Sequence, residues 1–284
     1  MKYLIVAADD FGFAESVNEG IVKAFGEGIV THINLMPAGE ALDDALRRAG
    51  SIKLKEAGAH LALTGATPVS DPATIPTLVT KDGKFYKNYA QFFPNLFLKK
   101  IDPDHIHREL KAQLDIAVSS RIKITDINSH EHIHMMPGIL EIFINLAKEY
   151  GIPSIRYPHK ESISAPIGLK KMYKKAILSY FEKTMRAPLE GSGLVYPENF
   201  LGFLDAGNLR ENIIINMLRS LGEGVTELVC HPGFMSPELL EKRIFYLDCE
   251  SELAALTSRN VKNFVNERGI KLITYGEFIE GRCV

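Results

Sequence analysis

The sequence predicts one α/β domain over residues 1–284, built on a parallel sheet that is either doubly wound or closed into a barrel. Three observations carry that prediction. Short apolar, β-branched runs alternate with helix-length amphipathic segments about seven times along the chain, the pattern of repeated strand and helix units. Acidic and imidazole side chains fall just past the ends of several of those runs, where α/β proteins place their ligand crevice. The composition is that of an ordinary globular chain: 284 residues, 46% hydrophobic, 33 Lys and Arg against 35 Asp and Glu, and no Trp. A formal charge of -2 offers no basic excess to neutralise a phosphate backbone or an acidic bilayer, so neither nucleic acid nor membrane is an expected partner.

The elements follow in order. Tyr3 to Ala7 reads as a buried strand, because the apolar run stops at Asp9 and Asp10 and is too short for a signal-peptide core. Ser16 to Phe25 reads as a helix closed by Gly26, Thr31 to Leu35 as a strand, Ala41 to Ala49 as a helix and Glu56 to Leu63 as a strand. A helix is expected from Pro103 to Ser119 behind the N-cap Asp102. Strands at Asp126 to Ser129 and Ser154 to Tyr157 flank a helix from Ile139 to Tyr150, which Gly151 and Pro153 stop. A helix from Leu209 to Leu221, a strand from Thr226 to Cys230, helices at Tyr246 to Leu256 and Ser258 to Glu267, and a strand from Lys271 to Thr274 complete the series. Two stretches break the rhythm, Gly65 to Asn95 and Ala187 to Asn208, both longer than the usual connection of about 4 to 6 residues. Loops of that length serve as lids, substrate walls or plain surface excursions. Cys230, Cys249 and Cys283 form no metal-type or disulfide spacing and read as free thiols in a cytoplasmic protein.

The chemistry collects at the strand ends. Asp9 and Asp10 follow the first strand, and paired carboxylates there are costly unless hydrogen-bonded, ion-paired or bound to metal; a helix cap is the plain alternative. His60 lies in the third strand, His231 follows Val229-Cys230, and Arg156 lies in the strand after the helix at 139–150. In Ser129-His130-Glu131-His132-Ile133-His134 a continuing strand puts the three imidazoles on one side, whereas Pro137 leaves room for a turn. With the double Asp and His60, this is the donor set of a divalent metal site of imidazole and carboxylate, compatible with Mg²⁺ or Zn²⁺. The spacing is not HExxH, so a zincin helix is excluded. His231 suits general acid or base work, because imidazole changes charge near neutrality. His105, His107 and His32 read as surface or packing residues, and His159 is assigned no role.

Four segments together resemble the YdjC-like carbohydrate deacetylases: Ala8-Asp9-Asp10-Phe11-Gly12, residues 58–64 (Gly-Ala-His-Leu-Ala-Leu-Thr), residues 128–137 (Asn-Ser-His-Glu-His-Ile-His-Met-Met-Pro) and Cys230-His231-Pro232-Gly233-Phe234. They stand in the family's order. The resemblance implies a distorted (β/α) barrel related to polysaccharide deacetylases, a divalent metal, and removal of acetyl groups from N-acetylated sugars. Carried over residue by residue, it implies Asp10, His60 and His130 as metal ligands, Asp9 as base and His231 as acid. The residues by themselves do not fix which Asp is base and which is ligand. His132 and His134 are expected to touch substrate and Arg156 to hold a substrate hydroxyl or the catalytic Asp, with Phe85, Tyr86, Tyr196 and Phe203 as candidate stacking rings in the long loops. A phosphoesterase on the same ligands would want a Gly-rich or basic phosphate cradle, and none follows the strands. A non-catalytic sugar-binding protein is the alternative of a different class. A homodimer is the base-rate expectation for assembly.

Overall fold

The computed structural model describes residues 1–161, 168–242 and 244–281. Its strands are β1 (Lys2–Phe11), β2 (His32–Leu35), β3 (Glu56–Leu61), β4 (Lys123–Ser129), β5 (Ser154–Ile155), β6 (Asn199–Leu201), β7 (Gly224–Cys230) and β8 (Lys271–Leu272). They form one parallel sheet in the order β5-β4-β3-β2-β1-β7-β6, with β8 paired to the start of β1. The sheet curls until its two edges nearly meet. Val195 bridges to Ser154 of β5, and four residues later the same segment enters β6 beside β7, so the gap is spanned by one bridge and not by a ladder. That incomplete closure is the distortion of the barrel.

The helices are α1 (Glu15–Glu27), α2 (Leu42–Ser51), α3 (Tyr89–Phe97), α4 (Pro103–Ser119), α5 (Ile139–Glu149), α6 (Leu169–Glu190), α7 (Glu211–Arg219), α8 (Pro237–Lys242), α9 (Cys249–Thr257), α10 (Arg259–Glu267) and α11 (Tyr275–Ile279). Several local expectations are corrected: α1 runs through Gly26 to a cap at Gly28, the strands expected to reach Leu63, Tyr157 and Thr274 end at Leu61, Ile155 and Leu272, and a 3-10 turn at Ile244–Asp248 precedes α9. The helix α6 carries no readable apolar stripe. It buries Leu178, Met185 and Leu189 yet exposes Leu169, Met172, Tyr173 and Tyr180. Cys230 and Cys249 are free and buried; Cys283 lies outside the described residues.

Alternation along the strands divides the interior. Leu4, Val6 and Ala8 of β1, Ala57, Ala59 and Leu61 of β3, Ile127 of β4 and Leu228 of β7 join the large apolar core shared with the helices. The intervening positions face inward. At the amino-terminal end, Ile5, Val225, Ile273 and Tyr275 form a small separate apolar plug under α11. Above the plug the lumen is polar, lined by buried Asp9, His32, Asn34, His60, Asp126, Asn128, Arg156 and Glu227. Gly58 is the small residue that makes room: a Cβ there would stand 1.9 Å from Asn34 Oδ1 and 2.7 Å from Asp126.

Candidate active site

The site grows from an irregularity at the end of β1. Ala8 is paired with Ile33 and Phe11 with Leu35, so two residues of β1 oppose one of β2, and the register shifts across Asp9 and Asp10. Asp10 takes φ +69, a left-handed conformation that non-glycine residues seldom adopt. In a regular strand these neighbours would point to opposite faces; the bulge turns both carboxylates toward His60. Asp10 Oδ1 is 3.1 Å from His60 Nε2, and Asp9 Oδ2 is 3.8 Å from His60 Nδ1.

Asp10, His60 and His130 form the one group of candidate metal donors among the described residues, with one ligand atom from each within 4.8 Å of the others, and all three are buried. His130 Nδ1 is 2.7 Å from Asp10 Oδ1, and the Tyr246 hydroxyl donates to Asp10 Oδ2. Burial opposes ionisation of Asp10, but His130 and His60 outweigh it and hold the carboxyl well below its usual range. The donor chemistry fits a divalent ion. Asn128 gives both amide hydrogens away, to Asn34 Oδ1 at 3.0 Å and Asp126 Oδ2 at 2.9 Å, so its Oδ1 is the acceptor that faces His60 Nδ1 at 2.5 Å. Nδ1 of His60 therefore carries a proton toward Asn128, and Nε2, 3.1 Å from Asp10 Oδ1, is the nitrogen turned to the cluster.

Asp9 is held differently. Arg156 grips it with two parallel bonds, Nη1 to Oδ2 at 2.7 Å and Nη2 to Oδ1 at 2.8 Å, and Asn34 Nδ2 donates to Oδ1 at 2.7 Å. Burial pushes this carboxyl up, yet the charge of Arg156, then His60, and the hydrogen bonds from Arg156 win, leaving it ionised far below the usual carboxylate range. Arg156 continues to Glu227 through Nε at 2.8 Å, and Tyr275 closes that chain on Glu227 Oε2 at 2.7 Å. Burial pushes the Glu227 carboxyl up, against the pull of Arg156. His231 follows β7 directly, with Nε2 3.9 Å from Asp9 Oδ2 and its backbone N–H fixed by buried Glu252 at 2.8 Å.

The turn after β4 decides the other histidines. Glu131 and His132 adopt φ +56 and +53, so the chain coils into a short 3-10 turn and does not continue as a strand. His130 consequently faces Asp10, while His134 folds beneath the turn. Its Nδ1 lies 2.6 Å from Ser129 Oγ and its Nε2 3.2 Å from the Arg156 carbonyl, and its ring packs on Phe143. Burial, then the Arg156 charge, push the His134 imidazole down to about 3, so it is a neutral strut below the site. His132 sits between, its ring 6.0 Å from Phe200 and 5.3 Å from Phe203.

A family model described as YdjC-like protein matches residues 3–267. The chain belongs to the YdjC-like family. Relatives of this YdjC-like chain include a carbohydrate deacetylase of Brevibacillus brevis, 31% identical over 275 residues that cover 96% of this chain and 98% of the relative. A chitooligosaccharide deacetylase of Salmonella paratyphi C is 30% identical, covering 95% of this chain and 96% of its own. A solved structure from Enterococcus faecalis V583, provisionally named for cellobiose-phosphate cleavage, superposes with a TM-score of 0.78 at 26% identity, over 98% of both chains.

Within this YdjC-like site, sequence reasoning passed over several residues: Asn34, Asn128, Asp126, Glu227, Glu252 and Tyr246. Four of them could have been found, since Asn34, Asp126, Asn128 and Glu227 are polar residues alternating with apolar ones in short strands. His32, read as a surface or packing residue, is a lumen residue 2.7 Å from Asp126. His105 is bonded to Thr77, and His159 stacks on Tyr157 at 4.1 Å with Nδ1 on that residue's carbonyl. Of the four candidate stacking rings, Phe203 reaches His132, whereas Tyr196 packs on Tyr157 and His159.

Proposed function

We propose that this YdjC-like protein removes acetyl groups from N-acetylated sugars, using a divalent metal held by Asp10, His60 and His130. What supports the reading most is the placing of an ionised carboxylate, Asp9, beside that donor cluster and within 3.9 Å of a second imidazole, His231. The carbohydrate and chitooligosaccharide deacetylases among the relatives agree with it. The chemistry such an ion supplies is Lewis acidity toward an acetamide carbonyl and toward water. Two imidazoles and one carboxylate suit Zn²⁺ by their nitrogen donors, and Mg²⁺ remains the other candidate.

The chain's own groups handle the protons. Asp9 accepts the proton of the attacking water at Oδ2, the oxygen turned toward His60 and His231, which takes one bond from Arg156 where Oδ1 takes two, from Arg156 and Asn34. Arg156 keeps the plane of the carboxylate fixed. His231 Nε2 donates a proton to the departing amine, so the products are acetate and a free amino sugar. His132, with Phe203 against it, is the candidate wall for the sugar ring. Two buried free thiols agree with a reducing cytoplasmic setting, and no described helix is long and apolar enough to cross a membrane. The exposed Leu169, Met172, Tyr173 and Tyr180 of α6 offer a face for a homodimer.

Acetate release from a panel of N-acetylated mono- and oligosaccharides, with Zn²⁺, Mg²⁺, Mn²⁺ or no metal added, tests the reading. Metal-dependent release that disappears in Asp9→Asn, with metal content retained, is the expected result. Full turnover in Asp9→Asn rejects Asp9 as base, and metal binding without release from any sugar leaves the sugar-binding alternative.

A further inference from the structure

Across Phe13 from the metal cluster lies a cavity that the chemistry above does not use. Phe13 stacks near the His130 ring at 6.1 Å and the Tyr246 ring at 5.3 Å, and it also lines a cleft of about 450 Å³. The opposite walls come from 65–67 and 80–91, within the long connection between β3 and α4. None of Asp10, His60 or His130 borders this cleft, so an acetamide at the cluster leaves it free for the remainder of the substrate. Its volume falls within the range of about 300 to 1,000 Å³ typical of small-molecule sites. The walls are mixed: Phe13 and Phe85 give apolar surface, Lys84 and Gln91 give donors, and Glu40 and Asp82 are each engaged by a hydroxyl, from Thr67 and Thr80. Apolar patches interleaved with hydrogen-bonding groups match a sugar ring, which has C–H faces and an equatorial rim of hydroxyls.

The cleft is tied to the metal turn by one residue. Glu131 follows His130 directly and takes φ +56. Its Oε2 accepts from Thr64 Oγ1 at 2.7 Å and from the Tyr89 backbone N–H at 2.7 Å, the first residue of α3. Thr64 is bridged to Tyr86, and Gly65 N–H bonds the Tyr86 carbonyl at 2.9 Å, so the 84–91 wall hangs on the turn that carries His130. Left-handed backbone at a non-glycine residue is costly and is kept where surrounding contacts demand it.

We propose that this cleft is the subsite for the sugar unit next to the acetylated one, and that Glu131 is a positioning residue that sets its wall relative to His130. The proposal rests on the deacetylase reading for its substrate class. The experiment compares kcat/KM for N,N′-diacetylchitobiose and N-acetylglucosamine in the wild type, in the Lys84→Ala/Gln91→Ala double variant, in Glu131→Ala and in Glu131→Gln, with calorimetric titration of the disaccharide and metal content alongside. The disaccharide is expected to be preferred, and the double variant to lower the disaccharide-to-monosaccharide ratio about tenfold, the size of one or two lost hydrogen bonds. Glu131→Ala is expected to lower the same ratio at unchanged metal content, and Glu131→Gln, which keeps an acceptor oxygen, to restore most of it. An unchanged ratio in the double variant overturns the subsite, and an unchanged ratio in Glu131→Ala overturns the positioning role. Should neither sugar be turned over, calorimetry decides: disaccharide binding weakened about tenfold by the double variant keeps the subsite while the deacetylase reading falls. Absent binding, or binding the variant does not alter, overturns it.

Discussion

Arg156 holds Asp9 through two bonds of 2.7 and 2.8 Å across 147 residues of sequence, with both side chains buried. The pair is the inner edge of the site, and the same guanidinium is shared with Glu227. Replacing Arg156 with Lys keeps a charge but loses the fork that matches a carboxylate. Arg156→Lys is expected to lower kcat about 10²-fold or more by misplacing Asp9, with metal content retained, in single-substrate kinetics. Arg156→Ala strands two buried carboxylates, and denaturant unfolding is expected to show a loss of about 3–5 kcal/mol.

Removing a donor from the cluster acts on metal before it acts on chemistry. His130→Ala and Asp10→Ala are each expected to lose tight metal binding, read by elemental analysis after dialysis, because two remaining donors hold an ion poorly. Tyr246→Phe removes only the hydroxyl on Asp10 Oδ2 and is expected to weaken metal affinity about 10-fold or more without abolishing it.

The lumen has no spare volume at Gly58. A Cβ there meets Asn34 Oδ1 at 1.9 Å, so Gly58→Ala must push apart the Asn34, Asn128 and Asp126 network that fixes the His60 proton. Urea unfolding is expected to show destabilisation of about 1–3 kcal/mol, and a wild-type stability would refute the role.

His134 predicts a pH effect of definite sign. Its folded-state pKa, about 3, lies below the ordinary 6.5, so the unfolded chain binds the extra proton between those values. Its contribution to stability is therefore complete above about pH 6.5 and shrinks as pH falls toward 3. His134→Asn is expected to flatten the fall in unfolding free energy between pH 7 and pH 4 relative to wild type; parallel curves would contradict the assignment.

The class of fold is legible in the sequence, since alternating apolar runs and amphipathic segments leave few arrangements besides a parallel sheet wrapped in helices. The sequence also pointed to Asp9, Asp10, His60, His130 and His231, because charged and imidazole groups at the ends of buried strands need a partner. The rest needed three dimensions. A one-residue bulge in β1 turns Asp9 and Asp10 toward the same imidazole, and two left-handed residues after β4 send His130 into the site and His134 under it; the first is a matter of strand register and the second of backbone conformation, and residue spacing announces neither. Helix α6 was illegible because its apolar residues face both the core and the surface. Asn34, Asn128 and Glu227 stand out in the sequence as polar residues within short strands, but their partners are set only when the sheet curls, when every inward position shares one lumen and each buried polar group must find its partner there.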